Sequence, residues 1–124
     1  MTFMDAVNRE IANRNEDDPT RITLEFLRDS NATRSRPVPL SVIVSHLNDH
    51  EIDIGETGFQ QTILAISRDQ DYFIGSGPKG YFLIRSEDDA KEVWRFYTRR
   101  ITAESQNRAN LVSQAARFGW NIES

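Results

Sequence analysis

Residues 71–85, DYFIGSGPKGYFLIR, constrain this chain more than any other stretch. Tyr72-Phe73-Ile74 and Tyr81-Phe82-Leu83-Ile84 are rich in aromatic and β-branched residues, and Gly75-Ser76-Gly77-Pro78-Lys79-Gly80 lies between them. The pattern predicts two short strands joined by a compact reversal. Three glycines in six positions supply the positive φ angles that such a turn needs. Helical patterns stand on both sides of the hairpin, so the chain is expected to be mainly α with a small β-hairpin, an α+β fold.

Upstream, Phe3, Val7 and Ile11 fall at i, i+4 and i+8 and predict a short amphipathic helix over 3–14. Asp18-Pro19 opens the next helix with an N-cap carboxylate and proline at N1. This helix runs to about residue 29, with Ile22, Phe26 and either Leu24 or Leu27 inward. Residues 29–37 are polar and turn-rich, hence a loop. Pro37-Val38-Pro39 then leaves room for only minimal strand pairing against the hairpin. Val42, Ile43 and Val44 favour a strand by propensity, but Leu40, Ile43, Val44 and Leu47 recur at the spacing of one helix face, and that spacing decides for a helix. A turn over 50–55 dips Ile52 and Ile54 inward. A third helix follows over 56–69, with Phe59, Ile63 and Ile66 as its buried face.

Three helices, a hairpin and a further helix form the order of a winged helix-turn-helix. Here it carries an extra N-terminal helix and a long C-terminal helix. Residues 1–18 form the first helix and an acidic linker, 19–86 the winged domain, and 87–124 the long helix. In a winged fold the third helix enters the major groove of duplex DNA, where glutamine bonds adenine N6 and N7. The outer face of this helix presents Thr57, Gln60, Gln61, Leu64 and Arg68. Gln60 and Gln61 are candidates for reading bases, Thr57 for a phosphate or a thymine methyl, and Arg68 for phosphate or guanine. Ser76 and Lys79 at the hairpin tip are candidates for a phosphate or the minor groove, and Arg34 and Arg36, before the second helix of the winged domain, for contact with the DNA backbone. The same Gln and Thr residues also suit an ordinary solvated helix face, and the loop arginines equally suit a role without DNA, so both readings stay open.

Charge sits awkwardly with DNA, because nineteen acids against fifteen bases leave a net charge of -4, whereas DNA-binding domains are usually basic. Most of the excess lies in residues 1–30, with a net of -3, while residues 31–86 stand at -1. No run approaches the ~18–20 apolar residues of a membrane span. The first residues carry acids where a signal peptide has its apolar region, so the cytoplasm is expected. Without cysteine, disulfides, a thiolate nucleophile and a cysteine-based zinc site are excluded. His46 and His50 lie at i, i+4, but no third metal ligand can be named, and surface helical histidines explain them better. Gly75-Ser76-Gly77 is too short for a phosphate loop or a nucleophile elbow. No metal, cofactor or catalytic residue is expected, and the chain reads as a non-enzyme.

The last helix begins with a capping box, Ser86 at the N-cap and Asp89 at N3, with three acids on its positive end. Neither proline nor glycine interrupts it before Gly119, so it extends to about residue 118. Trp94, Tyr97, Ile101, Glu104, Arg108, Leu111, Ala115 and Phe118 recur at alternating intervals of three and four, a heptad seam with a polar middle. Its first part is expected to pack on the winged domain. Its second part, Ile101, Glu104, Arg108, Leu111, Ala115 and Phe118, is expected to pair with a second copy or with the Phe3-Val7-Ile11 stripe. A solvent-exposed, fraying tail is the remaining reading. Glu104 and Arg108 can bond each other or, in an antiparallel homodimer, their counterparts.

The run Gly77-Pro78-Lys79-Gly80-Tyr81-Phe82-Leu83-Ile84-Arg85-Ser86-Glu87-Asp88-Asp89, followed by Trp94-Arg95-Phe96-Tyr97 and Arg99-Arg100-Ile101, resembles a family of small bacteriophage and prophage winged helix-turn-helix proteins. Those proteins close with a similar KGY wing strand, an acidic helix start and a long arginine-containing helix. The resemblance spans roughly residues 20–112. It implies a DNA-binding role, as a regulator of transcription or replication in a phage or mobile element, and carries over no catalytic residue. Two other roles remain beside it. One is a protein-interaction module, such as an inhibitor or adaptor of a host or phage factor; the other is an assembly component acting through the long helix.

Overall fold

The computed structural model describes residues 2–120, except the side chains at 102–104, 107, 108, 110, 111 and 114. Helix α1 spans Phe3–Ala12, α2 Pro19–Asp29 and α3 Leu40–Asp49. Then come α4, Glu56–Phe59, a π-helical turn over Gln60–Leu64, and α5, Ala65–Gln70, which together make one rod over 56–70. Strands β1, Ile74–Gly77, and β2, Gly80–Leu83, precede α6, Glu87–Ala116. The molecule is therefore mainly helical with a small antiparallel sheet, and it divides into two compact units, 1–93 and 94–124.

Local chemistry explains the helix ends of the first unit. Thr2 and Asp5 form a reciprocal capping box on α1, a signal the sequence reading passed over. As expected, Asp18 caps α2, accepting from the backbone of Thr20 and Arg21, with Pro19 at the first helical position. Helices α2 and α3 both end in Schellman turns. Ala32 donates to Leu27 O and Asn31 to Arg28 O; Ile52 donates to Leu47 O and Glu51 to Asn48 O. Asn31 and Glu51 take the left-handed position in these turns, at φ 51° and 65°. The turn after α3 half-buries Ile52 and Ile54, as expected.

Side chains from every element of the unit meet in its core. Leu24 and Leu27 of α2 are both fully buried, alongside Ile43, Leu47, Phe59, Ile74 and Leu83. The stripe of α1 is covered here too: Val7 and Ile11 are buried and Phe3 sets its ring edge-on to Phe73 at 5.6 Å.

The hairpin is shifted from its expected position. Gly75, Ser76 and Gly77 lie in β1 rather than in the loop, and only Pro78 and Lys79 connect the strands, in the register Ile74↔Leu83 to Gly77↔Gly80. Close packing explains why β1 needs glycine: a Cβ on Gly75 would lie 2.8 Å from Val93 and 3.0 Å from Phe82 and Ile84. Val38, held between two prolines, pairs with Tyr81 through two hydrogen bonds of 2.8 Å, the minimal third strand that the sequence allows.

Helix α6 opens on Ser86, whose hydroxyl accepts from Asp89 N at 3.1 Å. The capping box is only half made, because the Asp89 carboxylate accepts from the backbone of Arg85 instead of Ser86. Val93 is buried in the first unit, whereas Trp94, expected to pack there, is 69 % exposed. At the far end, Trp120 donates to Ala115 O and Gly119 to Ala116 O, a Schellman closure with Gly119 at φ 75°. No described helix is long and apolar enough to cross a membrane.

Candidate nucleic-acid interface

The rod over 56–70 does not keep a single α-helical phase. Its π turn absorbs one extra residue between Gln60 and Leu64, where the Thr62 hydroxyl donates to Gly58 O at 2.6 Å. Phe59 and Ile63 are buried as their spacing predicts. Beyond the insertion the third buried position moves from 66 to 67, so Ser67 is buried and Ile66 is 54 % exposed. The same rotation turns Leu64, expected on the outer face, into the core.

The insertion also divides the expected reading face. Thr57, Gln60 and Gln61 precede or begin the π turn and stay exposed. Arg68 follows it and turns towards the hairpin. Its Nε and Nη2 donate to Ile74 O at 3.1 and 3.0 Å, Nη2 also donates to the Ser76 hydroxyl, and the guanidinium lies 4.9 Å from the Tyr72 ring centroid. Arg68 and Ser76 thus join the rod to β1. Arg34 is likewise engaged, with Nη1 donating to Asp88 O at 3.2 Å and Nε 3.6 Å from Asp89 Oδ1, at the first turn of α6. Arg36 and Lys79 remain exposed, and among the described residues neither makes an ion pair.

Several of these groups come together. Gln60 Nε2 donates to the Tyr81 hydroxyl at 3.1 Å. Tyr81 pairs with Val38 and packs edge-on to Phe59, with ring centroids 5.9 Å apart. Gly80 lies directly against the Val38 carbonyl. The exposed start of the rod therefore adjoins β2, the Pro78-Lys79 turn and the segment that leads back to Arg36. Tyr81 is the residue that the sequence reading missed; it was legible only as a strand aromatic, not as the link between rod and hairpin.

The histidines pack rather than converge on a metal. His46 stacks on Phe26 at 4.0 Å and 11°, and His50 Nδ1 lies 2.9 Å from His46 O. Burial, with the charge of His50 adding to it and that of Asp49 opposing it, holds the His46 pKa below its ordinary value. A shallow depression of about 300 Å³ beside it is lined by Phe26, Ser41, Val42, Ser45, His46 and Asp49. Among the described residues no three metal-ligating side chains gather.

Of the seam residues, Ile101 and Phe118 are 63 % and 59 % exposed, while Ala115 is buried within the second unit. The side chains of Glu104, Arg108 and Leu111 lie outside the described residues. No family model, curated protein or solved structure matches the chain, so the likeness to phage and prophage winged proteins rests on the quoted residues alone.

Proposed function

We propose that residues 19–86 form a winged helix-turn-helix that binds duplex DNA in the cytoplasm and regulates a phage or mobile element. The observation that carries this reading is the exposed trio Thr57, Gln60 and Gln61 on the rod, tied through Gln60 and Tyr81 to the two-residue turn holding Lys79. A rod start in the major groove would present Gln61 to an adenine edge, with Lys79 and Arg36 on flanking phosphates. Arg68 and Ser76 brace this surface by joining the rod to β1, and Arg34, exposed, is held against the first turn of α6.

Base reading has a direct test. After selection of a preferred site from a random duplex library, Gln61→Ala is expected to cost about 1–3 kcal/mol of binding on that site and little on unrelated sequences. An equal loss on every sequence removes Gln61 from base recognition.

A second reading, a protein-interaction module such as an inhibitor or adaptor, is favoured by one observation. Two of the four bases assigned to the face, Arg34 and Arg68, are engaged within the fold. Arg36 and Lys79 are the two that remain exposed.

A further inference from the structure

The second unit leaves large apolar side chains uncovered: Trp94 is 69 % exposed and Ile101 63 %. What fits the exposed face is written in its own spacing. On the continuous helix α6 the seam positions are symmetric about residue 106: Tyr97 with Ala115, Ile101 with Leu111, and Glu104 with Arg108; Trp94 has its counterpart in Phe118, in the turn just past the helix end at Ala116. With Trp94 at heptad position a, every such pair joins an a to a d position, the layer that two antiparallel helices form and two parallel helices do not. Charge selects the same orientation. Antiparallel pairing sets Glu104 opposite Arg108 twice, whereas parallel pairing sets Glu104 against Glu104 and Arg108 against Arg108.

We propose that α6 pairs with α6 of a second copy of this chain, antiparallel and in register about residue 106. The Gly119 turn closes over Ala115 within each chain, so the contact at that layer is small. The main apolar layer within the helix is Ile101 with Leu111, repeated by the symmetry, and Trp94 meets Phe118 only beyond the helix end. The polar centre fixes register and direction, the role for which buried polar groups in coiled coils are best attested.

Because the chain has no cysteine, direction can be read by single substitutions. Ile101→Cys and Leu111→Cys are made in the full chain, and each is oxidised alone and then as a mixture. Sedimentation should give a dimer mass for the unsubstituted protein. The mixture should form the 101–111 disulfide at least roughly tenfold faster than either variant links to itself. A monomer mass throughout overturns the proposal, and so does faster self-linking of Ile101→Cys, which signals a parallel pair. Glu104→Arg should shift the mass towards monomer, and adding Arg108→Glu should restore the dimer. Absence of that shift also counts against the pairing. None of these readouts involves DNA, so this pairing and the DNA reading stand or fall separately.

Discussion

Phe59→Ala should destabilise the first unit by about 3–5 kcal/mol, the usual range for emptying a fully buried aromatic site. Phe59 has 0 % exposure and is the first inward residue of the rod, packed edge-on against Tyr81 at an interplanar angle of 73°. Truncation would remove both the apolar burial and the ring contact that joins the rod to β2. Domains of this kind have about 5–15 kcal/mol of total stability, so the variant should lie near its unfolding threshold. Urea denaturation checks this through the midpoint at constant slope. A loss below about 1 kcal/mol would mean that Phe59 is not the anchor between rod and hairpin.

Gly80→Ala carries the second large effect, and it acts through the backbone. Gly80 has φ 145°, a conformation open in practice only to glycine. An added Cβ would also collide with the Val38 carbonyl and lie 2.9 Å from Pro39 N. Relief of that collision must push the 37–39 segment off β2 and break the two 2.8 Å hydrogen bonds between Val38 and Tyr81. Strain and lost bonds together should amount to about 3 kcal/mol. Gly77, directly opposite in the ladder, is the control. A Cβ there meets only Phe82 at 3.8 Å, an ordinary contact, so Gly77→Ala should stay within about 0.5 kcal/mol of the parent. Equal losses at the two glycines, in the same urea assay, would refute the close approach at Gly80.

Much of the architecture was legible because it rests on local chemistry. Asp18-Pro19 announces a helix start by donor satisfaction and fixed φ. Leu40, Ile43, Val44 and Leu47 override β-propensity because burial of one face outweighs it. Val38 between prolines can pair once and no more. The π turn was not legible: a 3.6-residue template has no means of showing an inserted residue, and the insertion decides whether Leu64, Ile66, Ser67 and Arg68 point in or out. Hairpin register was obscured for a related reason. Gly75 and Gly77 look like loop residues, yet glycine is in β1 because Val93, Ile84 and Phe82 leave no room for a Cβ at position 75. Of the candidate interface, the exposed polar trio was visible in the sequence. The engagement of Arg34 and Arg68 was not, because it depends on the start of α6 and the carbonyl of Ile74, partners 54 and 6 residues away.

DNA binding itself is tested most directly by a fluorescence-anisotropy titration of the full chain with mixed-sequence duplex over a series of salt concentrations. With Arg36 and Lys79 as the outward bases, binding should weaken with salt at a log–log slope of about -2 per chain, shallow for a DNA-binding protein. Absence of binding at the lowest salt would contradict the account and leave the neutral face of the rod to a protein partner.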